Sequence, residues 1–142
     1  MIQLVVGDKG KGKTKYLLDK ANAAMKEADG RIVYVDKSRN HMYELNNKIR
    51  LVDASRYPLR SGDEFIGFIL GIVSSNYDIQ QVYLDSFLTL ARLEEQGDAT
   101  INEYISQLVY ISDLCQVDFI ISISMNPADL SSELQQYAVT DF

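Results

Sequence analysis

A stretch of eight residues near the start of the chain contains three glycines, three lysines and a threonine. Its members are Gly7, Asp8, Lys9, Gly10, Lys11, Gly12, Lys13 and Thr14. Glycines allow the backbone dihedrals and the close approach that are needed when N–H groups surround a phosphate oxygen. The stretch follows an apolar run and precedes a helical pattern. It therefore fits the phosphate-binding sequence G-x-x-x-x-G-K-[ST] in its strand–loop–helix context.

Each residue type in this stretch suits one part of a bound nucleotide. We predict that the Lys13 ammonium contacts the β- and γ-phosphates and that the Thr14 hydroxyl ligates Mg²⁺. The helix that begins near Lys13 directs the positive end of its dipole at the phosphates. The other loop residues and Lys15 are predicted to lie around the phosphates, where the lysines raise the positive potential and Asp8 points its carboxylate away. An ordinary turn rich in glycine and lysine is the alternative interpretation.

A second motif supplies an acid. Residues 81 to 85 form an apolar run that ends in Asp85. This pattern is similar to the Walker B motif, whose aspartate holds the Mg²⁺ shell. It is a weak pattern alone and gains weight from the glycine-rich stretch that precedes it.

On residues 2 to 14 and on the run that ends in Asp85, the chain resembles the P-loop NTPases. Within them it is similar to the small RecA-like ATP-binding proteins of bacteria, some of which are labelled as twitching-motility ATPases. The resemblance implies ATP and Mg²⁺ as ligands, with Thr14 and Asp85 around the metal. It also implies an α/β fold, a three-layer α/β/α sandwich with a mostly parallel sheet. In that fold the strand before Asp85 is separated from the P-loop strand by the strand that ends in Ser124.

The resemblance also assigns roles to residues at neighbouring strand ends. Many hydrolytic ATPases carry a glutamate directly after the Walker B aspartate, but Ser86 stands there in this chain, so rapid hydrolysis is not expected. RecA-like relatives can carry the acid at the end of the second strand, where Asp36 stands. Asp36 is therefore predicted as a catalytic base beside Lys13 and Asp85, with a capping or solvated aspartate as the alternative. Ser124 is predicted as a polar sensor of the γ-phosphate, with a serine that only satisfies backbone groups as the alternative.

Hydrophobic periodicity predicts the elements that position these residues. Strands are expected at residues 31–36, 49–53, 81–85 and 117–124, with an edge strand at 139–142. Helices are expected from the glycine-rich stretch to Asp29-Gly30, after a cap at Ser61 and after a cap at Thr100. Gly67 and Gly71, four residues apart on the second of these helices, predict close packing against a neighbouring element.

Composition sets the broad limits. A chain of 142 residues with 46% hydrophobic residues can bury a core of its own, so we expect residues 1–142 to form a single nucleotide-binding domain. All 14 Lys and Arg residues precede residue 93. We therefore do not expect nucleic acid as a partner of the acidic C-terminal third. No apolar run approaches the roughly 18 residues that span a bilayer, and we expect no membrane insertion and a cytoplasmic location.

Three functions remain open at this stage. The first is Mg²⁺-dependent ATP binding with slow or partner-stimulated hydrolysis. The second is a small-molecule or nucleoside kinase, in which arginines of residues 37 to 60 close over the phosphates. The third is a non-catalytic module, in which the nucleotide orders residues 37 to 48 and changes a surface for an unidentified protein partner or a second copy of the chain. The arginines that could activate hydrolysis are Arg39, Arg56, Arg60 and Arg92.

Overall fold

The structure is a computed structural model that describes residues 1–27 and 30–142. Asp29, at the predicted end of the first helix, lies outside the described residues, and the helix itself ends earlier, at Met25. In the described part, the strands are β1 (Ile2–Gly7), β2 (Arg31–Asp36), β3 (Arg50–Asp53), β4 (Ile79–Leu84), β5 (Asp118–Ser124) and β6 (Ala138–Val139). The α-helices are α1 (Lys13–Met25), α2 (Gly62–Ser74), α3 (Phe87–Leu90) and α4 (Asp98–Cys115).

The six strands form one sheet in the order β3-β2-β4-β5-β1-β6, and every neighbouring pair runs parallel. The strands are short runs rich in valine and isoleucine, which suit a parallel sheet that is buried on both faces. The predicted strand order is confirmed, because β5 lies between β1 and β4. An edge strand also lies beside β1, but it spans Ala138–Val139 and shares only Val139 with the predicted range of 139–142.

Side chains alternate between two cores on opposite faces of the sheet. In β1, Val5 belongs to one core with Leu17 and Ala21 of α1. Its neighbours Leu4 and Val6 belong to the other core, which contains the buried side chains of α2, α3 and α4. The helices therefore cover both faces of the sheet, and the chain has an α/β architecture in three layers.

Of the two predicted helix caps, the one at Ser61 is present and the one at Thr100 is not. Ser61 caps α2, since its hydroxyl accepts a hydrogen bond from the Glu64 N–H at 3.1 Å. The Glu64 carboxylate accepts from the N–H of Arg60 and not from that of the cap residue, so the predicted capping box forms only half of its usual pair. The predicted cap at Thr100 is wrong, because α4 begins at Asp98 and its cap position is Gly97.

The prediction for Gly67 and Gly71 is also wrong. Both glycines are exposed, and a Cβ atom at either position would meet nothing within 4 Å. Helix α2 buries its opposite side through Phe65, Ile69 and Val73. None of the helices in residues 1–27 and 30–142 has the length and hydrophobicity that a bilayer span requires.

Candidate functional site

The glycine-rich loop connects the carboxyl end of β1 to the start of α1. Gly10 has a φ of +81° and Gly12 a φ of +86°, values in the left-handed region where a side chain is strained. Gly12 is the residue before the first turn of α1. The N–H groups of residues 9 to 12 donate to no other backbone group in the described part of the chain. Free N–H groups beside a helix N-terminus are the kind of donors that bind anions in proteins.

Lys13 is the first residue of α1 and is largely buried, with 7% of its surface exposed. Its ammonium folds back over the loop and donates to the carbonyl oxygens of Gly7 at 2.9 Å and Asp8 at 2.6 Å. Burial lowers the pKa of Lys13, and the nearby carboxylates of Asp8 and Asp85 oppose this effect. The side chain is therefore held within the loop at the place where phosphate oxygens would compete for its protons.

Asp85 directly follows β4 and is the acceptor at the centre of a buried network. One carboxylate oxygen accepts from the hydroxyl of Thr14 at 3.1 Å and from that of Ser122 at 3.0 Å. The other oxygen accepts from the hydroxyl of Tyr34 at 2.8 Å. Burial and the neighbouring carboxylate raise the pKa of Tyr34, so its proton stays on the phenol. The network joins the first turn of α1 to β2, β4 and β5.

A pocket of about 520 Å³ opens beside this network at the carboxyl ends of the strands. Its lining contains loop residues, Asp85 and side chains from the neighbouring strand ends and from the region after β4. The lining residues are Lys9, Gly10, Gly12, Lys13, Thr14, Lys37, Asp85, Ser86, Leu88, Thr89, Glu94, Ser122 and Ser124. Ligands of open parallel sheets bind at this edge.

The pocket brings together most of the residues predicted from sequence and leaves others out. Lys9, Gly10, Gly12, Lys13, Thr14, Asp85 and Ser124 line it, whereas Gly7, Asp8, Lys11, Lys15 and Asp36 do not. Gly7 packs against the Phe142 ring, which would lie 3.3 Å from a Cβ atom at this position. Lys15 lies on the exposed side of α1 and forms an ion pair with Asp19 at 2.6 Å. Its charge is therefore directed along the helix surface.

Asp36 ends β2, the strand beside β4, and its side chain is 1% exposed. One carboxylate oxygen accepts from the N–H of Lys37 at 2.7 Å, and the other is buried without a hydrogen-bond partner. Burial, together with repulsion from Asp85, raises the pKa of Asp36 to about 6. Asp36 is not among the residues that line the pocket. Its role as a base stays a prediction.

The raised pKa of Asp36 predicts a pH-dependent effect of the Asp36→Asn substitution. Between pH 3.8 and about 6 the folded protein retains a proton that the unfolded chain releases, so the native state loses stability as pH rises. We expect the variant to be more stable than the wild type by about 3 kcal/mol at pH 8, from about 1.4 kcal/mol for each pKa unit between 3.8 and about 6. The two proteins should be nearly equal at pH 4, where the carboxyl is neutral in the native state.

Urea unfolding at pH 4 and pH 8 measures this difference. Asp141→Asn, at an exposed position near the C-terminus, is the control. Its difference in stability from the wild type should be the same at both pH values. A difference between Asp36→Asn and the wild type that is the same at both pH values would show that the pKa of Asp36 is not raised.

The oxygen donors in the network suit Mg²⁺ that arrives with a nucleotide. Magnesium binds through one or two protein oxygens together with phosphates and waters. The Thr14 hydroxyl and the Asp85 carboxylate are hard oxygen donors joined by a hydrogen bond at the pocket wall. Among the described residues, no group of three or more His, Cys, Asp and Glu side chains is placed to hold a metal.

Sequence reasoning missed two charged residues of the pocket. Lys37 follows Asp36 at the end of β2, and its ammonium lies 3.5 Å from the hydroxyl of Ser86. Its position directly after a predicted strand was a usable signal, because that strand end meets the same edge of the sheet as the glycine-rich loop. Glu94 lies in the turn between α3 and α4, and no sequence pattern marks it.

No protein-family model matches the sequence, and no curated protein matches it either.

Proposed function

We propose that the chain binds ATP with Mg²⁺ at the glycine-rich loop and hydrolyses it slowly or when a partner stimulates it. One observation carries the proposal. A buried lysine, a hydroxyl and a carboxylate, those of Lys13, Thr14 and Asp85, line one pocket at the carboxyl edge of a parallel sheet. These are the groups that a triphosphate and its metal require, and two stretches far apart in sequence supply them, Lys13 with Thr14 and the end of β4.

The residues of the pocket have complementary tasks in this proposal. The loop N–H groups and the start of α1 bind the phosphate oxygens. The Lys13 ammonium exchanges its two carbonyl acceptors for phosphate oxygens. Thr14 and Asp85 hold Mg²⁺, which neutralises charge that develops on the phosphates during hydrolysis. Ser124, at the end of β5, supplies a hydroxyl within the same pocket.

A binding titration tests the proposal. Calorimetry with a non-hydrolysable ATP analogue and Mg²⁺ should give one site per chain, and the GTP analogue is the comparison for base specificity. We expect the ATP analogue to bind more tightly, since the sequence lacks the N/T-K-x-D-like element that would recognise guanine. Phosphate release should be slow in the same protein. If neither analogue binds, the proposal is contradicted.

A nucleotide-gated interaction module is the second candidate, and Lys37 favours it. Lys37 lines the pocket and begins the segment of residues 37 to 48. The far end of this segment is attached to α1, because the side chain of Asn22 bonds the backbone of Glu44 and Asn46. Tyr43, which directly precedes Glu44, is 92% exposed. A γ-phosphate that binds Lys37 would therefore shift the segment of residues 37 to 48, which carries this exposed aromatic side chain.

For the kinase alternative the structure provides no comparable observation. A kinase of this kind was expected to close arginines from residues 37 to 60 over the phosphates. In residues 1–27 and 30–142, no arginine lines the pocket. Arg92, which was also considered as an activating arginine, donates to the carbonyl oxygen of Leu59 at 3.3 Å.

The Lys37→Ala substitution tests whether this lysine contacts the γ-phosphate. We expect about tenfold weaker binding of the ATP analogue, equivalent to about 1.4 kcal/mol, and less than about threefold weaker binding of ADP. Arg39→Ala is the matched control, because Arg39 is exposed in the same segment and lies outside the pocket lining. Equal losses for ATP analogue and ADP would place Lys37 away from the γ-phosphate.

A further inference from the structure

The turn that follows α3 carries an acidic residue that lines the proposed phosphate pocket. Glu94 lines the pocket together with Lys13, Thr14 and Asp85. A carboxylate is unfavourable beside a triphosphate because like charges repel. Its presence in this lining therefore requires a reason other than binding of the phosphates.

The position of Glu94 is fixed by the residues before it. Arg92 has a φ of +58°, in the left-handed region, and the chain turns at this residue. Leu93 is 2% exposed, and its N–H donates to the carbonyl oxygen of Leu88 at 2.8 Å. The carbonyl oxygen of Leu93 accepts from the N–H of Gln96 at 3.0 Å, which closes the turn around Glu94. A buried anchor and a tight turn thus hold the backbone that carries this carboxylate.

The other two carboxylates of this region are less accessible to a water molecule in the pocket. Asp85 already accepts three hydrogen bonds, from Thr14, Tyr34 and Ser122. Asp36 is 1% exposed and lies outside the pocket lining. Glu94 is exposed and lies in the pocket, so water can reach it.

We propose that Glu94 is the catalytic base that activates water for ATP hydrolysis, an inference that rests on the function proposed above. The water oxygen bonds to the γ-phosphorus while the bond from that phosphorus to the β–γ bridging oxygen breaks. ADP leaves with the electron pair of the broken bond. Glu94 accepts a proton from the water and returns it to the inorganic phosphate. Glu94 stands nine residues after Asp85 in the chain, and both residues line the same pocket.

Glu94→Gln in the full chain tests the inference, with Glu95→Gln as the matched control. Glu95 is the adjacent glutamate, exposed and outside the pocket lining. Single-turnover phosphate release from ATP and Mg²⁺ should fall about 100-fold in Glu94→Gln. It should stay within about twofold of the wild type in Glu95→Gln, since this glutamate does not face the pocket. Calorimetry provides the second readout, and the ATP analogue should bind Glu94→Gln as tightly as the wild type or up to about threefold more tightly, because a repelling charge is removed.

The two measurements separate the inference from the function on which it rests. Absence of analogue binding to the wild type would overturn the proposed function. Normal analogue binding with unchanged phosphate release in Glu94→Gln would overturn only the role of Glu94. A wild type that binds ATP and releases no phosphate over hours would overturn both hydrolysis by the chain alone and the role of Glu94. Asp36→Asn in the same assay separates the two acids. A loss of release in that variant, with Glu94→Gln unaffected, would assign the base to Asp36.

Discussion

The Lys13→Ala variant should bind the ATP analogue about 1,000-fold more weakly than the wild type, a loss of about 4 kcal/mol. Lys13 is the buried lysine of the proposed phosphate site, and its ammonium donates to two carbonyl oxygens of the loop itself. In the variant, those oxygens remain in the loop without the charge that would attract phosphates past them. The loss should therefore exceed that of any exposed lysine.

Lys11→Ala is the control for this experiment. It removes the same charge two residues away, at an exposed position outside the pocket lining. We expect it to weaken binding by less than about fivefold, since a surface charge acts through water and salt. Both variants should unfold within a few degrees of the wild type in a thermal scan, because neither side chain contributes to the two hydrophobic cores. Equal affinities of Lys13→Ala and the wild type would remove the proposed phosphate site.

The sequence was most informative where one local pattern determines one local structure. The glycine-rich stretch requires positive φ values, and Gly10 and Gly12 have them. Apolar β-branched runs indicated the buried parallel strands, and Asp85 follows β4 as predicted. The strand order came from the resemblance to RecA-like proteins, because periodicity alone does not indicate which strands are neighbours.

The sequence was least informative where a position depends on contacts between distant segments. The spacing of Gly67 and Gly71 indicates that they share one side of a helix, but not which side faces the core. Glu94 reaches the pocket only because Arg92 adopts a left-handed conformation and Leu93 is buried beneath the turn. Both are tertiary effects, and a glutamate in a polar turn carries no sign of them.

Replacement of Asp85 by asparagine should remove most of the Mg²⁺ dependence of nucleotide binding. In the wild type we expect the ATP analogue to bind at least about tenfold more tightly with Mg²⁺ than with EDTA, because the metal neutralises phosphate charge and is held by oxygen ligands. In Asp85→Asn this ratio should fall below about threefold, since the amide has lost the charge that attracts the metal. Calorimetric titrations with Mg²⁺ and with EDTA measure both ratios.

The same substitution should also destabilise the fold, which makes a control essential. The amide cannot accept all three hydrogen bonds that the carboxylate accepts, and the Tyr34 hydroxyl is buried beneath it. Hydrogen bonds to a charged group contribute about 1.5 to 3 kcal/mol each, and we expect a loss of about 3 kcal/mol in the free energy of unfolding. Urea titration of the nucleotide-free protein measures this loss separately from metal binding.

Tyr34→Phe distinguishes the two roles of Asp85. It removes one donor of the network and leaves the carboxylate with its hydrogen bonds from Thr14 and Ser122. We expect it to lower stability by about 1 to 2 kcal/mol and to keep the Mg²⁺ dependence of the wild type. If Tyr34→Phe loses the Mg²⁺ dependence as fully as Asp85→Asn does, the metal effect follows from a weakened network. If the Mg²⁺ dependence of nucleotide binding is retained in Tyr34→Phe and lost in Asp85→Asn, the Asp85 carboxylate itself holds the metal.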